Sequence, residues 1–440
     1  MQKIIVHNFG PLQDVEIEIK DFTVLIGEQA SGKSTLAKLV YFFKSMSGDM
    51  IDEVVNFKFK KNNVDFSSLF FSIRERLEKK FSDYFGLLKS RGSFNIKYYL
   101  DEQNFIEITK RGGFAVESEI NFVLLDFSNK FKLNLLKTLE KYYNKVVEEK
   151  TTRSVRLIEE LRKDLNILFK DDNSPFFIPA GRNISVAYGD QIDKLFYGEI
   201  IKNILTQNLS GFHGKADLFL MQAFLEEVPR LKERFSNILK LSETNPLLSN
   251  KIDKISQILK GEYRLSSEIE GIQLDKIHIP FSEASTGQQE SIRILQDLLV
   301  STVEKSHSFK IIEEPEAHLF PNAQKNIIAL MVNMIVESPN QVFITTHSPY
   351  ILSYLNNLLF AWKVGQLQPE AENKIAIEFR LNPSNFGAYV LRDGYSQSIF
   401  DTTTSLIDRN YLDEIFEEIG FEYDALYDVY ADFITSNGSY

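Results

Sequence analysis

The chain has 440 residues, 43% of them hydrophobic and 25% charged, which predicts a sizeable packed core in two to three domain-sized units, or one domain with a large insertion. The chain has 50 Lys and Arg against 61 Asp and Glu, which gives a net charge of −11. This charge argues against a protein that binds nucleic acid over its whole surface, and only a local basic groove could do so. The absence of cysteine excludes disulfides, thiolate metal sites and a cysteine nucleophile.

Two further segments bear on location. Met1–Lys20 carries charges throughout and lacks the apolar stretch of a signal peptide. The longest apolar-rich run, Ile327–Val336, is far short of the ~20 residues that a membrane span needs. We therefore expect a soluble, cytoplasmic protein without a membrane partner.

The first 40 residues predict strand, strand, strand, loop and helix. Lys3–Val6 is short and apolar, and Val15–Ile19 alternates apolar and acidic residues as a half-buried strand does. Phe22–Ile26 is a continuous apolar run that suits a buried strand. Ser34–Phe43 spaces its apolar residues at helical intervals. Residues 1–50 are thus predicted to form the N-terminal part of an α/β core.

A second α/β block, residues 278–365, is predicted to complete that core. Its elements alternate between helices and strands, with helices at about Gln288–Val303 and Ala323–Val336 and strands at Lys310–Ile312 and Gln341–Thr345. The tail, residues 366–440, is predicted to be an α/β extension with a hairpin around Asp393–Gly394 and a last helix at about Leu412–Ile419.

Residues 51–277 are predicted to be a large, mostly helical insertion. Phe94–Leu100 and Phe105–Thr109 indicate a β-hairpin, and residues 188–265 indicate a helical subdomain. Between them, residues 130–168 carry a heptad-like apolar seam that two antiparallel helices would satisfy. The seam leaves two alternatives open, a projecting helical arm or two amphipathic helices packed on the core.

A phosphate-binding pattern follows the third predicted strand. Gly27-Glu28-Gln29-Ala30-Ser31-Gly32-Lys33-Ser34 matches G-x-x-x-x-G-K-[ST] between a strand and a helix, the context that the motif requires. Its backbone N–H groups would wrap a phosphate at a helix N-terminus, where the dipole favours anions. Lys33 would reach the β- and γ-phosphates, and the Ser34 hydroxyl would bind Mg²⁺.

Paired carboxylates end the strand at Lys310–Ile312. Glu313 is predicted to hold the Mg²⁺ through water, and Glu314 to act as the general base that polarises the attacking water. A Glu-Glu pair alone is a weak signal, but the continuation Pro-Glu-Ala-His-Leu-Phe-Pro makes it specific. The more usual first acid is Asp, so Glu313 would shift the metal geometry slightly.

Two further segments carry candidate phosphate contacts. Ser285-Thr-Gly287-Gln288 opens a predicted helix, with Ser285 as the capping residue and Gly287 allowing close backbone approach. Its position in the chain makes this segment hard to place on the nucleotide that Gly27–Ser34 binds. A phosphate bound to a second protomer would remove this difficulty. His347 ends the strand Gln341–Thr345 and is predicted to contact a γ-phosphate.

In order, these motifs resemble the ABC-type ATPase core shared by SMC, RecF and OLD proteins. The resemblance makes Gly27–Ser34 the Walker A motif, Ser285–Gln288 the signature, Ile311–Glu314 the Walker B motif and His347 the histidine switch. The run from Glu313 to Pro321 is most similar to OLD-type and related ATPases of bacterial defence systems. The implied fold is α/β, a P-loop NTPase whose ABC-type core is a mixed sheet flanked by helices, with the large helical insertion.

The resemblance also implies cofactors, partners and a site. ATP and Mg²⁺ are bound, and a head-to-tail homodimer holds each ATP between Walker A of one protomer and the signature of the other, with higher oligomers left open. The catalytic residues are Lys33, Glu314 and His347, and the metal residues are Ser34 and Glu313. The nucleotide-binding residues are Gly27, Glu28, Gln29, Ala30, Ser31, Gly32, Lys33, Ser34, Thr35, Ser285, Gly287, Gln288 and Arg182.

Two departures from the family pattern matter. No glutamine loop is visible, and Arg182, in the turn Ile178–Asn183, is the best substitute, either as a phosphate contact or as part of a structural turn. OLD nucleases continue into a TOPRIM domain with an Asp-x-Asp metal cluster, whereas the 93 residues after His347 contain none. A nuclease site in this chain is therefore not expected.

Three functions compete at this point. The first is a switch or sensor ATPase that acts with a separately encoded effector in phage defence or DNA maintenance. The second is a RecF-like or SMC-like ATPase that clamps DNA itself, for which the 10 Lys and Arg against 6 Asp and Glu within Lys130–Asp164 are a slight indication. The third, the ATP-binding cassette of a transporter, is weakened by the missing glutamine loop and the split core.

Overall fold

The computed structural model describes residues 2–57, 66–86, 92–110, 123–149, 154–187, 216–266, 269–367, 375–408 and 420–432. The N-terminal elements are strands β1 (Gln2–Phe9), β2 (Leu12–Ile19) and β3 (Phe22–Gly27), followed by helix α1 (Lys33–Asn56). The three predicted strands and the predicted helix are all present, and α1 runs well past Phe43 because its apolar spacing continues through Met50 and Val54.

The middle of the chain alternates helices and strands. The elements are α2 (Phe66–Phe85), β4 (Phe94–Tyr99), β5 (Phe105–Lys110), β6 (Val123–Phe127), α3 (Asn129–Glu149), α4 (Val155–Phe169), β7 (Ser174–Ile178), α5 (Ile184–Ala187), α6 (Ala216–Ser242), α7 (Pro246–Leu259), β8 (Glu262–Ser266), β9 (Ile269–Leu274) and β10 (Ile277–Pro280). Strands β8, β9 and β10 form a small antiparallel sheet of their own.

The C-terminal part supplies the remaining elements. They are α8 (Thr286–Val303), β11 (Ser308–Glu313), α9 (Pro321–Glu337), β12 (Gln341–Thr346), α10 (Pro349–Leu367), β13 (Phe386–Arg392), β14 (Tyr395–Ser398), β15 (Phe400–Asp401) and β16 (Leu406–Ile407). Residues 420–432 are helical, whereas the predicted helix Leu412–Ile419 lies outside the described residues.

One mixed sheet organises these elements, in the order β6-β5-β4-β1-β2-β14-β13-β3-β12-β11-β7. Strands β13, β3, β12, β11 and β7 are parallel, and the strands from β6 to β2 pair antiparallel. The parallel strands end at one edge, where β3 leads into the loop before α1 and β11 ends at Glu313. Helices flank the sheet, so the predicted α/β class is confirmed.

The segment 51–277 is less separate from the core than an insertion would be. Strands β4, β5 and β6 extend the sheet beyond β1, and β7 forms its opposite edge beside β11.

Helices α3 and α4 lie antiparallel, with salt bridges from Lys141 to Asp164 and from Lys145 to Glu160. The predicted seam residues Leu139, Leu161 and Leu165 are buried in the same apolar cluster as α1. Of the two alternatives, the structure therefore shows helices packed on the core. The predicted helices in residues 188–215 lie outside the described residues.

The tail is likewise part of the sheet and not an appended extension. Strand β13 pairs parallel with β3, from Phe386 opposite Phe22 to Leu391 opposite Gly27, and its hairpin partner β14 meets β2. The turn of this hairpin, Asp393–Gly394, was correctly predicted, and Gly394 O accepts hydrogen bonds from Gln13 N at 2.8 Å and Asp14 N at 3.1 Å. The tail thus joins the antiparallel half of the sheet to the parallel half.

No helix in the described part of the chain combines the length and the apolar character that a membrane span requires.

The first prediction tests the hairpin turn at Gly394. Its φ is +85°, and a Cβ there would lie 2.6 Å from Pro11 O and 2.9 Å from Gln13 N. Gly394→Val should therefore lower the free energy of unfolding by about 1–3 kcal/mol through backbone strain alone, and more through the clash. Urea denaturation followed by circular dichroism measures the change.

The matched control is Gly48→Ala. Gly48 lies within α1, and a Cβ there meets nothing within 4 Å, so the substitution should keep stability or raise it by up to about 1 kcal/mol. Equal stability of the Gly394→Val variant and the wild type would show that the turn does not hold the sheet.

Candidate functional site

The loop between β3 and α1 is shaped by close backbone approaches. A Cβ at Gly27 would lie 2.3 Å from Leu391 O in β13, and a Cβ at Gly32 would lie 2.6 Å from Leu12 Cδ2. Gly32 has φ +101° and precedes the first residue of α1, while Ala30 has φ +64°. A Cβ does not fit at Gly27 or Gly32 without a shift of its neighbour, so the glycine spacing of the motif follows from packing against β13 and the start of β2.

Lys33 lies inside this loop. Its ammonium donates hydrogen bonds to Gly27 O at 2.9 Å and Glu28 O at 2.7 Å, and the residue is buried. Burial lowers the pKa of Lys33, and the negative charges of Glu314 and Glu316 oppose that shift. The structure therefore brings the predicted lysine and the end of β11 within electrostatic reach of each other.

The rest of the loop is arranged around Lys33. Glu28, Gln29 and Ala30 are exposed, as is Ser34, whereas Ser31 and Thr35 are half-buried. Ser31 N donates to Glu28 O at 3.3 Å, which closes the loop on itself. An exposed loop with its lysine beneath it suits the binding of a phosphate from solvent.

Glu313 is a buried carboxylate at the end of β11, with 4% of its surface exposed. Its Oε2 accepts a hydrogen bond from Ala180 N at 3.3 Å, whereas its Oε1 is buried with no hydrogen-bond partner in the described residues. A buried anionic oxygen without a donor is costly unless a cation or water satisfies it. Mg²⁺ typically takes one or two carboxylates, with waters and phosphate oxygens completing its shell, so Glu313 and the Ser34 hydroxyl fit the expected metal.

Glu314 occupies a strained position next to His347. Its φ is +45°, and its backbone N–H is held by Thr345 O at 2.9 Å. Its Oε1 lies 3.4 Å from His347 Nε2, and both side chains are partly exposed, at 41% and 36%. Left-handed backbone is unfavourable for a non-glycine residue, and from this conformation the Glu314 carboxylate faces the histidine and the solvent.

Glu316 is a site residue that the sequence reasoning did not single out. Its Oε1 accepts hydrogen bonds from Thr346 Oγ1 at 2.6 Å and from His347 N at 2.7 Å. Burial raises the pKa of Glu316, and these two hydrogen bonds oppose the shift. It ties the loop after β11 to the end of β12 and so fixes the position of His347. The signal was the Pro-Glu that follows the acidic pair.

The predicted signature forms the start of α8. Gln288 Oε1 accepts from Ser285 N at 3.0 Å and Ser285 Oγ at 2.9 Å, and Gln288 Nε2 donates to Leu259 O at 2.6 Å. A Cβ at Gly287 would lie 2.5 Å from His318 O. These neighbours are different from those of the Walker A loop, which are Pro11, Leu12 and Leu391. Ser285 and Thr286 are exposed and so available to another molecule.

Arg182 does not occupy the place predicted for a phosphate contact. It is fully buried, and each guanidinium nitrogen donates to a backbone carbonyl: Nε to Glu290 O at 2.8 Å, Nη1 to Glu313 O at 2.8 Å and Nη2 to Glu314 O at 3.0 Å. Burial lowers its pKa, opposed first by the charge of Glu290. The structure thus corrects the prediction in favour of the structural alternative, with Arg182 joining β11 to α8.

Residues 1–352 match the AAA ATPase domain family. The "Probable ABC transporter ATP-binding protein p29" of Mesomycoplasma hyorhinis is 26% identical over 212 residues, which are 42% of this chain and 80% of that protein.

Among solved structures, the chain is similar to SMC head domains. An Smc head bound to the C-winged helix domain of ScpA has 12% identity and a TM-score of 0.40, covering 90% of this chain and 96% of that one. The Thermotoga maritima SMC head has 13% identity and a TM-score of 0.33, covering 90% and 97%. The family match extends over most of the chain and confirms the predicted P-loop ATPase. The chain belongs to the AAA ATPase domain family.

Proposed function

We propose that the protein binds ATP with Mg²⁺, hydrolyses it between two copies of the chain in the cytoplasm, and works as a nucleotide-driven switch for a separately encoded effector. The observation that carries the hydrolysis is the position of Glu314, whose carboxylate lies 3.4 Å from His347 Nε2 and acts electrostatically on Lys33. A partly exposed carboxylate at this position can accept a proton from a water that attacks the γ-phosphate.

The remaining residues receive roles from their positions. Lys33 and the loop N–H groups bind the β- and γ-phosphates, and Ser34 and Glu313 hold Mg²⁺, which neutralises phosphate charge when bound. His347 orients the γ-phosphate, and Glu316 keeps His347 in place through its backbone N–H. Arg182 holds the carbonyls of Glu313 and Glu314, so it acts as a positioning residue.

The proposal that two copies of the chain form each ATP site depends on the signature segment, Ser285–Gln288. Ser285 and Thr286 are exposed at the N-terminus of an 18-residue helix, where the helix dipole favours an anion. A γ-phosphate bound to another copy would meet this end. Binding of ATP would then bring the two protomers together, and hydrolysis would let them separate. An effector would sense this change. The resemblance of the run from Glu313 to Pro321 to OLD-type sequences supports an effector that acts in phage defence or DNA maintenance.

Direct DNA clamping is the second proposal, supported by one groove. A cavity of about 860 Å³ between the β4–β5 turn and helices α3 and α4 is lined by Lys130, Lys137, Lys141 and Lys170. Within this groove Lys141 pairs with Asp164 and Lys170 pairs with Asp101. These pairs reduce the positive electrostatic potential that DNA phosphates would meet. Binding of duplex DNA that weakens steeply with added salt, and that is lost in Lys137→Glu, would favour this function.

The first functional prediction concerns Glu314→Gln. The change removes the charge and keeps the shape, so ATP affinity should stay within threefold while turnover falls roughly 100-fold or more, as expected for loss of a general base. Phosphate release and binding of a fluorescent ATP analogue give the two quantities.

Its control is Glu304→Gln, which removes an exposed carboxylate paired with Arg234 at the far end of α8. This variant should keep both affinity and turnover. Turnover of the Glu314→Gln variant within threefold of the wild type would remove Glu314 from the mechanism.

The second functional prediction tests the two-copy site. Lys33→Ala should weaken ATP binding, whereas Ser285→Arg should block hydrolysis and leave the Walker A loop of its own chain able to bind ATP. In a heterodimer of the two variants, one composite site carries both lesions and the other carries neither, so mixing should restore part of the activity. Mixed samples with proven subunit exchange and no recovered turnover would contradict two independent composite sites.

The third functional prediction concerns Arg182→Lys. Lysine keeps a positive charge but cannot donate to three carbonyls in a planar fork, so Glu314 should lose its backbone support. We expect turnover to fall at least tenfold, with ATP affinity retained. Steady-state kinetics and thermal unfolding separate the two effects.

The matched control is Arg293→Lys, since Arg293 is equally buried in α8 but pairs with Glu270 away from β11. It should cost stability with little change in turnover per folded molecule. Parallel losses of turnover in both variants would assign Arg182 to general stability alone.

A further inference from the structure

The start of α8 and the end of β11 are joined by one buried arginine. Arg182 Nε donates to Glu290 O in α8 at 2.8 Å. The other guanidinium nitrogens donate to Glu313 O at 2.8 Å and to Glu314 O at 3.0 Å, where β11 ends. Ser185 Oγ donates to Arg182 O at 2.6 Å and so holds the turn that carries the arginine. A single guanidinium therefore connects the signature end of α8 to the backbone of the proposed general base.

Glu290 is a buried carboxylate in α8, five residues after Ser285. Its Oε2 accepts no hydrogen bond in the described part of the chain, but it lies 3.4 Å from Arg182 Nε. Burial lowers the pKa of Arg182, and Glu290 opposes that shift more strongly than any carboxylate at the end of β11 does. A buried charge is costly unless it is paired, so each member of this pair stabilises the other in its position.

A second buried ion pair joins the same two elements further from the site. Lys310 Nζ in β11 donates to Asp297 Oδ1 in α8 at 2.7 Å, and both side chains are buried. Asp297 lies seven residues after Glu290, which is about 10 Å along the helix. This pair fixes the middle of α8 to the middle of β11, whereas Arg182 contacts the point where the chain leaves β11. A displacement of the start of α8 would therefore act on the end of β11 through Arg182.

We propose that Glu290 is a positioning residue that holds the Arg182 guanidinium against the Glu314 backbone and so ties the general base to the signature helix of the same chain. That backbone is left-handed at Glu314, with φ +45°, and persists only where its surroundings hold it. In the two-copy site, the signature contacts the nucleotide of the partner, whereas Glu314 acts on the nucleotide of its own chain. The Arg182–Glu290 pair therefore lies between the two ATP sites. This inference rests on the proposed function.

Glu290→Gln separates catalysis from ATP binding. The change keeps the shape of the side chain and removes its charge, so Arg182 loses its ion pair and Glu314 loses part of its support. We expect turnover per folded molecule to fall roughly tenfold while ATP affinity stays within about threefold, because a small misplacement of a catalytic group slows the chemical step. Phosphate release and a fluorescent ATP analogue measure the two quantities. Unchanged turnover of this variant would overturn the proposal, whereas a wild type without turnover would contradict the proposed function.

Asp297→Asn is the matched control, because it removes the charge of the other buried pair between α8 and β11. It should lower the melting temperature and keep turnover per folded molecule. Equal losses of turnover in the two variants would assign Glu290 to general stability and overturn the proposal. Glu290→Gln added to Arg182→Lys should lower turnover no further than Arg182→Lys alone, because both changes act on one contact. Losses that multiply would overturn the action through Arg182.

Mixed dimers test whether Glu290 acts within its own chain. In a heterodimer of Lys33→Ala and Ser285→Arg chains, the intact ATP site uses the Glu314 of the Ser285→Arg chain. Glu290→Gln should lower the recovered turnover roughly tenfold when it is placed in that chain, and much less when it is placed in the Lys33→Ala chain. Equal losses or the reverse pattern would overturn the proposal. An unmodified pair that recovers no turnover would count against the two-copy site, and the Glu290→Gln homodimer would then decide the role of Glu290.

Discussion

The close approach between Gly27 and the carbonyl of Leu391 is the contact on which the nucleotide site depends. β3 has β12 on one side and β13 on the other, and its last residue meets β13 where no Cβ fits. This pairing fixes the direction in which the chain leaves β3, and therefore where the loop and Lys33 lie. The antiparallel half of the sheet supports the same loop through Leu12, which contacts Gly32. A phosphate loop is thus held from both halves of one sheet.

Charge concentrates at the neighbouring strand end, where Glu313, Glu314 and Glu316 occur within four positions. Their mutual repulsion would be unfavourable without compensation. The compensation differs for each carboxylate: a backbone N–H for Glu313, a histidine for Glu314 and a threonine hydroxyl for Glu316. Arg182 adds a positive charge beneath them, donates to the carbonyls of Glu313 and Glu314, and pairs with the Glu290 carboxylate at 3.4 Å. The three carboxylates are therefore more stable when a cation and the polyphosphate that it binds are present than when they are absent.

The parts that the sequence predicted are those with local signals. The strand Phe22–Ile26, the loop glycines and the acidic end of β11 have fixed spacing within one element, and the mixed α/β class follows from them. The position of β13 has no such signal, because its burial pattern suits any interior strand and only the pairing with β3 places it in the centre. For Arg182 the sequence left two alternatives open, for a related reason. A turn that presents an arginine looks the same in sequence whether the side chain faces a phosphate or backbone carbonyls.

The place of β13 in the chain has a consequence for biosynthesis. β3 leaves the ribosome within the first 30 residues, but the strand that completes its pairing is not made until residue 392. At about 5–20 residues per second, the fully buried strand β3 waits roughly 20–70 s with at least one edge uncovered. Such an edge is prone to pair with other chains during this interval. A prematurely terminated chain would carry the complete Walker A motif without the strand that holds it.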